Sequence, residues 1–112
     1  MLKEVSQDPE RTLIVVDPRR TESAELADIH LAVKPGRDAW ALSAMIAHVI
    51  QQSLMPMDWL HDNVLGLERV LERFSDIDVD GYAAFAGLNP ADVRAAAEAI
   101  AKSKTSAYYE DL

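Results

Sequence analysis

Residues 12–16 read Thr-Leu-Ile-Val-Val, an unbroken aliphatic run that stops at Asp17-Pro18. A strand that is apolar on both faces belongs in a parallel sheet with helices on either side, whereas a half-solvated strand alternates. Pro18 ends the run because it has no N–H to give to a ladder. A second run, Ile-His-Leu-Ala-Val at residues 29–33, closes at Pro35-Gly36. About a dozen residues lie between the two, close to the minimum for a parallel crossover. Residues 21–27 are helix-compatible and can fill it. A βαβ unit is the expected start of the fold.

Beyond it the pattern is helical. Asp38 can cap a helix over residues 39–53, and Asp58 a shorter one reaching about Val64. Leu67, Val70, Leu71 and Phe74 recur at helical spacing between charged residues. Asn89-Pro90-Ala91-Asp92 is a helix start, with Val93, Ala96, Ala97 and Ile100 as its buried stripe. Residues 105–109, Thr-Ser-Ala-Tyr-Tyr, read as a nascent third strand. The expected class is therefore α/β, a partial Rossmann-like parallel sheet of two to three strands with a helix-rich second half. Sheets typically have about 5–6 strands, so residues 1–112 read as one incomplete domain, part of a larger one.

Charge and composition exclude several functions. Eleven basic against nineteen acidic residues leave a net −8, which argues against phosphate-backbone binding and nucleic-acid partners. With no cysteine there is no disulfide framework, thiol nucleophile or cysteine-held iron–sulfur cluster in this chain. Residues 39–57 lack charge, but their apolar part is shorter than the roughly 20 residues of a spanning helix. A buried core helix is expected there, with no membrane insertion. The polar N-terminus has no apolar h-region, which together with the missing cysteines fits a cytoplasmic setting.

Chemistry concentrates where the two strands end. Arg19, Arg20, Lys34 and Arg37 lie just beyond them, with Asp17 and Asp38 alongside. Ligands of open parallel sheets bind outside the carboxyl ends of the strands. Guanidinium groups suit phosphate oxygens, and a carboxylate can accept paired donors from a ribose or a purine edge. The same charges also fit solvated loops, and no glycine-rich phosphate loop precedes Asp17. Other motifs are weaker. Residues 75–81 imitate a calcium loop, yet Gly87 stands where its bidentate glutamate belongs, so a solvated inter-helix loop is expected. His30, His48 and His61 show no metal-ligand spacing and read as packing or surface residues. Trp40, Trp59, Phe74, Tyr82 and Phe85 read as core.

Two stretches together are more specific than either alone. Residues 13–31, containing Val-Val-Asp-Pro-Arg and Ala-Asp-Ile-His, resemble the strand-end motif of molybdopterin-dependent oxidoreductases, the dimethyl sulfoxide reductase superfamily that includes formate dehydrogenases and nitrate reductases. Residues 34–42, Lys-Pro-Gly-Arg-Asp-Ala-Trp-Ala-Leu, resemble that family's second motif at the expected spacing, with Arg37 where threonine is usual. The resemblance implies a segment that binds molybdopterin guanine dinucleotide. Asp17, Pro18, Arg19, Arg20 and Thr21 would touch the guanosine and diphosphate. Gly36, Arg37 and Asp38 would form the second contact, Asp38 accepting N–H groups from the guanine edge.

The resemblance also implies a parent enzyme doing two-electron chemistry on a molybdenum bis-dinucleotide cofactor. Any iron–sulfur cluster would sit elsewhere in that parent, and no residue here matches its molybdenum ligand. By itself the chain is not expected to be catalytic. Its partner would be the remainder of the parent or a companion chain. A free-standing nucleotide- or pterin-binding protein, an assembly protein and a non-functional remnant are the alternative readings.

Overall fold

The computed structural model describes residues 2–109. A short helix α1 (Leu2–Ser6) leads into the βαβ unit. Strands β1 (Ile14–Val16) and β2 (Ile29–Leu31) pair in parallel, Ile14 opposite Ile29, Val15 opposite His30 and Val16 opposite Leu31. The crossover holds a single helical turn, α2 (Glu22–Glu25), whose Thr21 hydroxyl accepts the Ala24 N–H at 3.4 Å. Such a cap replaces one of the orphaned donors at a helix start. At the other end of the sheet the Asp28 carboxylate accepts the Leu13 N–H at 2.7 Å, while the Asp28 N–H donates to the Leu13 carbonyl at 2.9 Å. One residue thus closes the return of the crossover onto β1.

Five helices follow: α3 (Asp38–Gln51), α4 (Met57–Asn63), α5 (Leu67–Ser75), α6 (Val79–Ala86) and α7 (Pro90–Lys102). Helix α3 is the hub and packs on α5, α6 and α7. Its buried face is Ala41, Ala44 and Ala47, against which lie Ala83, Ala86, Val93 and Ala96, with Leu31 and Val33 from the β2 side. Small residues let the helix axes approach closely, since interhelical distance follows side-chain size at the contact. His48 is buried at the end of that face, its Nε2 3.1 Å from Glu98 Oε1 on α7. Lys102 donates to the other Glu98 oxygen at 2.6 Å. The Lys102 ammonium first, and His48 second, hold the Glu98 carboxyl below the usual carboxylate range.

Several expectations need correction. Residues 105–109 form no strand: they are exposed, and among the described residues the sheet consists of β1 and β2. Residues 79–81 are not loop but the first turn of α6. Arg37, with φ −117° and ψ 17°, takes the N-cap position, so Asp38 is the first helical residue and caps nothing with its side chain. Asp58 likewise lies one residue inside α4, after Pro56 at the cap. Along α7, Val93, Ala96 and Ala97 are buried, but Ile100 is exposed. Trp59 is exposed too, and Trp40 and Phe85 lie at the surface, whereas Phe74 and Tyr82 pack against the core. Leu42 and Ile46 leave the outer face of α3 open, so that helix is buried on one side only.

The start of α7 follows expectation, with the Asn89 side chain accepting the Ala91 N–H at 3.0 Å and Pro90 in the first turn. No helix among the described residues is long and apolar enough to cross a membrane.

Candidate functional site

Parallel pairing puts the carboxyl ends of β1 and β2 at one edge of the sheet, so the loops that follow them emerge side by side. Residues 17–21 form the first loop and residues 34–38 the second.

The first loop is fixed by bonds to its own residues and to β2. The Asp17 N–H donates to the Leu31 carbonyl at 3.2 Å, extending the ladder one residue past β1. The Asp17 carbonyl accepts from His30 Nε2 at 2.9 Å, which requires that nitrogen to carry the proton. The Asp17 carboxylate accepts the Arg19 N–H at 2.7 Å, an Asx turn over Pro18. The Thr21 N–H then donates to the Arg19 carbonyl at 3.0 Å. Asp17 is therefore held at its amide, its carbonyl and its side chain. Arg19 and Arg20 project from this turn, exposed and without a carboxylate partner among the described residues.

The second loop turns at Gly36, whose φ of +76° is costly for residues other than glycine. Apart from Gly36 and its two neighbours in the chain, no atom lies within 4 Å of where a Cβ would stand, so no other part of the fold fills that side of Gly36. Arg37 is engaged at the end of α6. Its guanidinium donates to the Phe85 carbonyl and lies 4.1 Å from the centroid of the Phe85 ring. Trp40 completes the cluster, its ring 4.7 Å from those of Tyr82 and Phe85. The Lys34 N–H donates to the Ala86 carbonyl at 2.9 Å. Asp38 is exposed in the first turn of α3, where the helix dipole favours an anion, and no donor among the described residues meets its carboxylate.

The edge thus offers two exposed guanidinium groups without a carboxylate partner among the described residues, one free carboxylate and an open backbone approach at Gly36. All eight residues singled out from the sequence lie on these two loops. Sequence reading missed His30 and Phe85 as parts of the arrangement. His30 could have been noticed as a polar residue inside an apolar strand. Phe85, 48 positions from Arg37, left no local signal.

Elsewhere, an apolar groove of about 430 Å³ lined by Ile50, Met55, Met57 and Leu71 lies at the opposite end of α3 from Asp38. Among the described residues no three histidine, aspartate or glutamate side chains converge as a metal site.

No protein-family model matches the chain. Individual proteins do. The assimilatory nitrate reductase catalytic subunit of Bacillus subtilis is 30% identical over 89 residues, covering 80% of this chain and 12% of that protein. Formate dehydrogenase H of Escherichia coli is 30% identical over 98 residues, covering 85% of this chain and 13% of that protein. The solved structure of acetylene hydratase from Pelobacter acetylenicus superposes with a TM-score of 0.78 at 34% identity, over 83% of this chain and 13% of that one. The chain spans about an eighth of the length of these relatives. By sequence and by structure, it is homologous to one segment of the molybdopterin oxidoreductase superfamily.

Proposed function

We propose that residues 1–112 are the part of a larger molybdopterin oxidoreductase, within one of its α/β domains, that holds the guanine dinucleotide end of the molybdenum cofactor. The observation that carries this reading is the parallel register of β1 and β2, which sets Asp17, Pro18, Arg19, Arg20 and Thr21 beside Gly36, Arg37 and Asp38 on one edge.

The residues present fit such a group. Arg19 and Arg20 supply unpaired forked donors for a diphosphate. The Asp38 carboxylate suits the adjacent N1–H and N2–H donors of guanine. The open side of Gly36 lets a planar group come close to the backbone. Asp17 and Thr21 shape the turn, each already bonded within it. When bound, the cofactor supplies two-electron redox chemistry at molybdenum. The segment binds and orients it, and bond-making belongs to the rest of the parent or a companion chain. That parent works in the cytoplasm, any iron–sulfur cluster lies outside this segment, and nucleic acid is not a partner.

The test is calorimetric titration of the 112-residue chain with GDP, IDP and ADP. IDP lacks the exocyclic amino group, so a carboxylate reading the guanine edge should favour GDP over both. Asp38→Ala should abolish that preference and weaken GDP on the order of tenfold or more, with an unchanged circular dichroism spectrum. Equal affinity for the three nucleotides, or no binding by the parent chain, would overturn the assignment.

A further inference from the structure

We infer that the C-terminal end of α6 belongs to the nucleotide site as the clamp that shapes its second loop, and that Arg37 is a positioning residue rather than a phosphate ligand. This rests on the reading just given and deepens it.

The last carbonyls of any helix lack an intrahelical donor and carry the negative end of its dipole. In α6 two of them, at Phe85 and Ala86, are answered from the second loop. The Ala86 carbonyl takes the Lys34 N–H at 2.9 Å, and the Phe85 carbonyl takes the Arg37 guanidinium. The helix end therefore receives a backbone donor and a full positive charge three residues apart. The Phe85 ring adds a cation–π contact at 4.1 Å, and Trp40 supports that ring from α3.

Gly87, at φ +82°, ends α6 in the left-handed conformation, and the Lys34 side-chain stem lies across the place where its Cβ would be. The two ends of the turn at Gly36 are consequently tied to the same three residues, 85–87. An Arg37 so engaged has its charge opposed by a helix terminus and its fork occupied at the Phe85 carbonyl and ring. A threonine in its place could not span this contact.

Phe85→Ala and Arg37→Ala, singly and together, separate positioning from ligation. Amide hydrogen exchange of the ligand-free chain should show faster exchange in residues 36–41 in both single variants, with residues 17–21 unchanged. For GDP, each single variant should lose affinity on the order of fivefold. The double variant should lose little more than Arg37→Ala alone, because Arg37→Ala removes both the bond to the Phe85 backbone carbonyl and the contact with its ring, and Phe85→Ala removes only the ring contact. Phe85→Leu, which keeps bulk without the ring, should recover little. Unchanged exchange at residues 36–41 in Arg37→Ala, which breaks the bond to the Phe85 carbonyl, overturns the clamp whether or not GDP binds. Losses that simply add in the double variant, or GDP affinity untouched by Phe85→Ala while Arg37→Ala abolishes it, return Arg37 to the phosphate. Absence of GDP binding in the parent chain overturns the nucleotide reading instead and leaves the exchange result to decide the clamp.

Discussion

The two strand-end loops lie side by side, yet they are held in different ways. Residues 17–21 are fixed by short-range bonds, an Asx turn at Asp17 and a hydroxyl cap at Thr21, with His30 of the neighbouring strand locking the Asp17 carbonyl. Residues 34–38 are fixed by a helix that starts more than forty residues later. A locally bonded turn can form as soon as its strand does. A remotely bonded one waits for the whole helical half to fold, because the cost of closing so long a loop must first be met. The first loop should thus keep its shape under perturbation and the second should follow the state of α6.

Substitutions sharpen this difference in order of size. Leu31→Ala empties a fully buried position between the sheet and the helices and should cost about 2–5 kcal/mol, read from the denaturation midpoint. The backbone carbonyl that accepts the Asp17 N–H survives this change, but the side chain that seats β2 against the helices is lost, so both loops should loosen together. Gly87→Ala places a Cβ against the Lys34 stem and forces a left-handed conformation, for about 1–2 kcal/mol. Its exchange signature should appear in the second loop and leave the first as it was. Thr21→Ala removes the α2 cap and should cost about 0.5–1 kcal/mol, with the reverse pattern. Equal loosening of both loops by Gly87→Ala and Thr21→Ala would mean that they form one cooperative unit.

The same division explains what could be read from the sequence. Strand runs ending at Asp17-Pro18 and near Pro35-Gly36, the parallel crossover between them and the Asn89-Pro90 helix start are local patterns, and each is present in the structure. The eight loop residues were legible because they sit beside those strand ends. What failed was non-local. Residues 105–109 have strand composition, but a strand exists only with a partner to bond. Ile100 and Val70 fall on apolar helical stripes, yet each remains nearly half exposed. The aspartates read as a loop at residues 75–81 conceal the start of α6, whose alanines face α3. Phe85 reads as core from its helical spacing, and its pairing with Arg37 emerges only when α6 docks.

The alanine face of α3 has a consequence of its own. Where Ala41, Ala44 and Ala47 meet Ala83, Ala86 and Ala96, the interior is built largely from methyl groups, and among the described residues the largest side chains buried completely are Leu31, Val33 and Val93. Each methyl removes little apolar area from water, so this contact contributes modest cohesion. It also leaves almost no slack: any larger side chain on either face would have to push two helices apart. The junction behaves as a gauge rather than as glue, setting the distance at which the end of α6 meets the second loop while adding little to the force that keeps it there.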